Sequence, residues 1–130
     1  MNNLNIKNMN ILIVEDDADY ANILKLWLSK STTSIDIVTR SETGIAYLST
    51  KKPDIIFLDN ALPSLIGNEV LRAYKVLSPR SHLILMSGYL NDDIIAALIR
   101  KGADEVLDKD KADKEYVLKI VETVINFKKS

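Results

Sequence analysis

Short apolar runs alternate with longer amphipathic segments five times along the chain. Most of these runs are rich in Ile, Leu and Val and show no polar alternation, as strands buried on both faces require. Each run is followed by apolar residues at helical spacing. Strict alternation of strand and helix predicts an α/β fold, a doubly wound five-stranded parallel sheet with helices on both faces.

The predicted elements follow one another without repeats or internal linkers. Strands are expected at Met9–Val14, Ser34–Val38, Asp54–Leu58, His82–Met86 and Glu105–Leu107. Helices are expected at Asp17–Ser29, Ser41–Ser49, Gly67–Leu77, Asn91–Lys101 and from Lys111 or Asp113 to Lys128. The second run alternates apolar and polar residues, which is typical of a strand near a sheet edge. Residues 1–8 are polar and are predicted to be a flexible leader, and residues 9–130 are predicted to be one domain.

The composition excludes several classes of site. The 130 residues include no cysteine and one histidine, which excludes disulfide frameworks, thiolate nucleophiles and cysteine-based zinc sites. A formal net charge of -1 argues against a protein that mainly neutralises nucleic-acid phosphates. No apolar run approaches the ~18 residues of a membrane span, and residues 1–8 lack the apolar segment of a secretory signal. We therefore expect a cytoplasmic protein with no direct nucleic-acid or membrane partner.

Polar and charged residues stand at the carboxyl ends of four predicted strands. They are Glu15, Asp16 and Asp17 after the first strand, Asp59 after the third, Ser87 and Gly88 after the fourth, and Asp108, Lys109 and Asp110 after the fifth. Ligands of open parallel sheets bind outside the carboxyl ends of the strands. If these strands are neighbours, carboxylates, a hydroxyl and a lysine gather at one rim.

This combination of groups suits phosphoryl transfer to a carboxylate. Clustered carboxylates repel one another, and a divalent cation such as Mg²⁺, which prefers oxygen ligands, relieves that repulsion. A carboxylate can attack phosphorus and form an aspartyl phosphate. A lysine and a hydroxyl can stabilise charge on the phosphoryl oxygens. Each feature alone also suits a helix N-terminus, a turn or a surface ion pair, but their joint occurrence at four strand ends favours the functional interpretation.

Four stretches make the chain similar to the receiver domain of two-component response regulators, from Asn10 to Phe127. They are ILIVEDD at Ile11–Asp17, PDIIFLDNALPSLIG at Pro53–Gly67, LILMSG at Leu83–Gly88 and GADEVLDK at Gly102–Lys109. The resemblance implies a flavodoxin-like fold with strand order 2-1-3-4-5. It also implies a phosphorylation-controlled switch that assists its own phosphorylation and dephosphorylation, and not an enzyme acting on a free substrate.

The resemblance assigns a role to each rim residue by its position. Asp59 would accept the phosphoryl group from a sensor histidine kinase or a histidine phosphotransfer protein. Mg²⁺ or Mn²⁺ would be held by Glu15, Asp16, Asp59 and the backbone carbonyl of Ala61. Ser87 would be the switch hydroxyl, and Lys109 would pair with the phosphoryl group. A downstream protein would dock on the face formed by the fourth helix, the fifth strand and the fifth helix.

Three positions depart from the family pattern. Val106 stands where the family usually has an aromatic ring, so the usual coupling of hydroxyl to ring is not expected. Asp110 stands where a proline with a cis bond is usual. A non-proline cis bond costs about 2.5–4 kcal/mol, so we expect a trans Lys109–Asp110 bond or a reshaped loop. Gly88 replaces a common alanine, and Tyr89 is expected near the entrance of the site.

Two other functions fit these residues poorly. An aspartate-nucleophile phosphatase would need a second acid where Ala61 stands, and dinucleotide binding would need a glycine-rich turn after the first strand. Both are disfavoured. Two alternatives within the family stay open. One is a degenerate receiver that works only as a binding module, and the other is a receiver excised from a larger multidomain regulator.

Overall fold

The computed structural model describes residues 9–29, 34–60 and 67–129, without the side chains of residues 67, 68 and 127–129. Its strands are Ile11–Val14 (β1), Ile35–Val38 (β2), Ile55–Asp59 (β3), His82–Ser87 (β4) and Glu105–Asp108 (β5). Its helices are Ala18–Ser29 (α1), Ser41–Leu48 (α2), Gly67–Leu77 (α3), Asp92–Arg100 (α4) and Lys114–Lys129 (α5). The predicted leader, residues 1–8, lies outside the described residues.

The five strands form one parallel sheet in the order β2-β1-β3-β4-β5. The α/β fold expected from the sequence and the strand order implied by the family resemblance are therefore confirmed. Strand β2 lies at one edge, as its alternating pattern predicted, and β5 lies at the other. The order reverses beside β1, and the crevice above such a reversal is where open parallel sheets bind ligands.

The predicted boundaries lie within two residues of the observed ones, except for the Lys111 start of the last helix, which is three residues early. Two of the differences affect polar residues. Asp59 is the last residue of β3, paired with Met86 of β4, and not the first residue of the following loop. The helix α5 begins at Lys114, because the Asp113 carboxylate accepts a hydrogen bond from the N–H of Tyr116 at 2.8 Å and caps the helix. Such caps satisfy backbone donors that the helix itself leaves unpaired.

The sheet is covered on both faces, as its uninterrupted apolar strands require. On one face, alternate strand residues such as Ile13 and Phe57 pack with α1 and α5. On the other face, residues such as Val14 and Leu58 pack with α2, α3 and α4. Helices packed on both faces hold the strands against one another, so the residues at their carboxyl ends are held in a defined arrangement. Within the described residues, no helix is both long enough and apolar enough to cross a bilayer.

Candidate functional site

The carboxyl ends of four strands bring the predicted site residues to one rim of the sheet. The N–H of Glu15 donates to Val38 at 3.0 Å, which continues the β1–β2 pairing by one residue. Asp59 ends β3, and Ser87 ends β4, where it pairs with Asp108 of β5. Lys109 follows directly, and its N–H donates to the carbonyl of Ser87 at 2.8 Å. The sheet register alone therefore places these residues side by side.

Three carboxylates form a cluster at this rim. One side-chain oxygen from each of Glu15, Asp16 and Asp59 lies within 4.8 Å of the other two. Glu15 and Asp59 are buried, with 0% and 3% of their surface exposed, whereas Asp16 is exposed. Oxygens around one octahedral Mg²⁺ ion are roughly 3–4 Å apart, so a small inward movement would bring the three onto one ion. The exposed side leaves room for the waters that Mg²⁺ retains, and the donor set fits Mg²⁺ or Mn²⁺.

Lys109 neutralises part of the buried negative charge. Its Nζ lies 2.7 Å from Oε1 of Glu15 and 3.4 Å from Oδ1 of Asp59, and its side chain is 23% exposed. The second oxygen of Glu15 accepts a hydrogen bond from the N–H of Asp17 at 3.1 Å. Lys109 thus lies closer to the carboxylate of Glu15 than to that of Asp59.

Burial and neighbouring charges shift the pKa values at the rim. The pKa of Glu15 is raised to about 7, mainly by burial and secondly by a hydrogen bond with Asp59, against the opposing effect of Lys109. Burial lowers the pKa of Lys109, but its contacts with Glu15 and Asp59 outweigh that effect and the pKa is raised overall. Lys109 therefore stays protonated at neutral pH, while Glu15 is close to its titration point.

Tyr20 is a site residue that the sequence did not reveal. It is one of the apolar residues at helical spacing after the first strand, which indicates only that it faces the protein. The Nζ of Lys109 lies 4.8 Å from the centre of its ring, within the range of a cation–π interaction. The Tyr20 hydroxyl is buried and has no hydrogen-bond partner among the described residues. Burial raises the pKa of Tyr20, and the nearby acids add to the increase against the lowering effect of Lys109. Its place in the first turn of α1, just past the acidic residues, is the one sequence signal that could have indicated this contact.

Asp17 has a structural role beside the acidic pair. Its side-chain Oδ1 accepts hydrogen bonds from the N–H groups of Asp19 at 3.0 Å and Tyr20 at 3.2 Å. Asp17 therefore caps α1. The cap fixes the start of α1 and thereby the positions of Asp16 and Tyr20 relative to the rim.

The structure describes the predicted residues Ser87, Val106 and Asp110, but not Ala61. Ser87 lies at the rim, and its hydroxyl contacts the carbonyl of Gly88 at 3.3 Å. Val106 is half-buried and packs on the face covered by α2, α3 and α4. The Lys109–Asp110 bond is trans, as expected, since none of the described residues follows a cis bond. Ala61, the fourth predicted metal ligand, lies outside the described residues, and its ligation stays a prediction.

We predict that Tyr20→Phe stabilises the protein. Phenylalanine keeps the ring beside Lys109 and removes the buried hydroxyl, and an unsatisfied buried group of this kind costs about 1–3 kcal/mol. Thermal and urea unfolding should show an increase of up to about 1 kcal/mol in the free energy of unfolding. Tyr74→Phe is the matched control, because the buried Tyr74 hydroxyl donates to the carbonyl of Ser41 at 2.9 Å, and it should destabilise. A loss of stability in both variants would contradict this interpretation of Tyr20.

We also predict that ionisation of Glu15 lowers the free energy of unfolding of the metal-free protein as the pH rises from about 4.5 to about 7. In that window the folded protein keeps a proton that the unfolded chain has released, because burial raises the pKa of Glu15 from 4.5 to about 7. Glu15→Gln should match the parent near pH 4.5 and exceed it at pH 8 by on the order of 2–3 kcal/mol.

Denaturant unfolding in chelator-containing buffer at several pH values measures this difference. The matched control is Glu122→Gln, at an exposed position on α5, which should stay within about 0.5 kcal/mol of the parent. Parallel stability curves for Glu15→Gln and the parent would rule out the proposed titration.

Comparison with known proteins identifies relatives along most of the chain. The response regulator receiver domain family matches residues 11–122. Regulatory protein LuxO of Vibrio cholerae is 32% identical over 97 residues, which cover 75% of this chain and 21% of LuxO. The cell cycle response regulator CtrA of Brucella ovis is 28% identical over 112 residues, which cover 86% of this chain and 48% of CtrA. The chain thus spans about a fifth of LuxO and about half of CtrA.

Solved structures show the same fold. The signal receiver domain of a putative LuxO repressor from Vibrio parahaemolyticus superposes with a TM-score of 0.83 at 25% identity, covering 93% of this chain and 92% of that one. A two-component response regulator from Clostridium difficile gives a TM-score of 0.84 at 26% identity, covering 95% and 100% of the two chains. Because the family match extends over most of the sequence and includes every strand, this chain belongs to the receiver domain family of two-component response regulators.

Proposed function

We propose that this chain works as a signalling switch that accepts a phosphoryl group on Asp59. One observation carries the proposal. The buried carboxylate of Asp59 ends the central strand β3 within 4.8 Å of oxygens of Glu15 and Asp16, and Lys109 reaches it at 3.4 Å. A turn aspartate alone would not account for two further acids and a lysine at these distances.

The transfer itself is a displacement at phosphorus. A carboxylate oxygen of Asp59 forms the new P–O bond while the P–N bond of a phosphohistidine breaks, and the departing imidazole nitrogen keeps the electron pair and takes up a proton. The donor is a sensor histidine kinase or a histidine phosphotransfer protein, the partners of receiver domains in two-component signalling. Burial of Asp59 keeps bulk water away from the acyl phosphate that results.

The neighbouring residues supply orientation and charge. Glu15, Asp16 and Asp59, with the backbone carbonyl of Ala61, would hold Mg²⁺ or Mn²⁺. The ion supplies charge that offsets the negative phosphoryl oxygens. The Lys109 ammonium is already within 3.4 Å of Asp59, so it can pair with another phosphoryl oxygen as charge develops. The Ser87 hydroxyl, at the end of the adjacent strand, can donate to a third oxygen once it leaves the carbonyl of Gly88.

The output of the switch would be a change in protein–protein contact. The face formed by α4, β5 and α5 suits a downstream partner, because β5 is an edge strand and α4 exposes apolar side chains such as Ile99, at 48%. Val106 on β5 offers no aromatic ring to move, so the change would be carried by backbone and helix positions. On this proposal the protein acts in the cytoplasm beside the kinase domain that supplies its phosphoryl group.

Phosphorylation of the intact protein tests the proposal. Incubation with Mg²⁺ and a small phosphoryl donor such as acetyl phosphate should add the mass of one phosphoryl group, measured by intact-protein mass spectrometry. The gain should disappear without the divalent cation and in Asp59→Asn, which keeps the size of the side chain but removes the nucleophile. Asp54→Asn is a suitable control, since Asp54 lies at the opposite end of β3, and it should be phosphorylated like the parent. A folded parent that gains no mass would instead favour a binding module that no longer phosphorylates.

A further inference from the structure

Two positions that depart from the family pattern are in contact with each other. Oδ2 of Asp110 accepts a hydrogen bond from the N–H of Tyr89 at 3.2 Å. A Cβ atom placed on Gly88 would lie 3.4 Å from the same carboxylate oxygen and 3.6 Å from the other. The Asp110 carboxylate therefore lies directly against the backbone of residues 88 and 89. We call this contact the Asp110 bridge, and it joins the loop after β5 to the loop after β4.

Tyr89 has a backbone conformation that needs support. Its φ of 54° is in the left-handed region, and it is the one non-glycine residue among those described with a positive φ. Such a conformation is unfavourable for an aromatic residue and persists when the surroundings fix it. The Tyr89 side chain is 93% exposed and makes little packing contact. The hydrogen bond from its N–H to Asp110 therefore supports this turn.

The bridge acts next to the proposed switch residues. Ser87 immediately precedes the bridged turn, and its carbonyl accepts from the N–H of Lys109 at 2.8 Å. The Asp110 N–H donates to Oδ1 of Asp108 at 2.9 Å, which fixes the start of its own loop. Asn91, two residues after Tyr89, caps α4 by accepting from the N–H of Ile94 at 2.9 Å. A shift of the bridged turn would therefore move both the Ser87 hydroxyl and the start of α4.

We propose that Asp110 is a positioning residue that holds the loop after β4 in the arrangement seen in the structure. In this arrangement the Ser87 hydroxyl contacts the carbonyl of Gly88. To donate to a phosphoryl oxygen on Asp59, the hydroxyl has to leave that contact, and the bridge resists the necessary movement. The inference rests on the proposed function of Asp59. It adds a restraint on closure, the movement that turns the Ser87 hydroxyl from the carbonyl of Gly88 towards a phosphoryl group on Asp59.

Two variants separate the hydrogen bond from the charge of Asp110. Asp110→Ala removes both the acceptor and the negative charge. Asp110→Asn removes the charge but keeps an oxygen that can accept from the N–H of Tyr89. A restraint through the hydrogen bond changes the alanine variant alone, whereas simple repulsion between Asp110 and a phosphoryl group changes both variants alike.

Closure is measured with beryllofluoride, a non-covalent substitute for the phosphoryl group, in the presence of Mg²⁺. A ligand that binds only the closed arrangement binds more tightly when that arrangement is more populated. The apparent affinity of Asp110→Ala should rise roughly three- to tenfold over the parent, the range expected for the loss of one hydrogen bond. Asp110→Asn should stay within about twofold of the parent. In the unphosphorylated protein, amide hydrogen exchange at Tyr89 should be faster in Asp110→Ala and unchanged in Asp110→Asn.

The outcomes distinguish this inference from the proposed function. If the parent binds no beryllofluoride and accepts no phosphoryl group, the proposed function fails, and the role of Asp110 fails with it. If the parent binds but Asp110→Ala has the parent's affinity, the inference alone is overturned. Equal gains in both variants, or unchanged Tyr89 exchange in Asp110→Ala, would likewise overturn the bridge as the restraint. Asp110 is exposed, and circular dichroism of each variant confirms that its fold is intact.

Discussion

The contact of Lys109 with the buried carboxylates of Glu15 and Asp59 is the interaction on which the rest of the site depends. Burying two acids side by side is costly unless a positive charge accompanies them. Lys109 supplies one positive charge for the two, and it lies closer to Glu15, at 2.7 Å. The cost that remains appears in the pKa of Glu15, which burial and, to a smaller extent, Asp59 raise. A site built in this way favours the arrival of further positive charge, which a divalent cation would provide.

The apolar strands and their polar endings made most of this arrangement predictable. Uninterrupted runs such as Ile55–Leu58 indicate strands covered on both faces. The position of Asp59 at the end of such a run then placed it at the binding rim. The order of the strands came from a family resemblance, because periodicity alone does not specify which strands are neighbours. The structure and the family match confirm both the order and the membership.

Contacts between loops could not be predicted in the same way. The ring of Tyr20 beside Lys109 depends on the angle at which α1 leaves the rim, and helical spacing indicated only that Tyr20 faces the protein. The bond between Asp110 and Tyr89 depends on a positive φ at a non-glycine residue, and no sequence pattern indicates that conformation. Asp110 departs from the family pattern in the sequence, but the sequence indicates no partner for it. Such contacts join residues from separate loops, so they are determined by the assembled fold and not by local propensity.

Binding of Mg²⁺ to the unphosphorylated protein tests the central claim most directly, namely that the rim carboxylates are arranged for a divalent cation. Thermal unfolding is measured in chelator and with increasing Mg²⁺, for the parent and for Asp16→Asn, which alters an exposed ligand and leaves the core intact. At about ten times the dissociation constant, Mg²⁺ should stabilise the parent by roughly 1.4 kcal/mol and should have a much smaller effect on the variant. No stabilisation of the parent, or equal stabilisation of both proteins, would contradict the account.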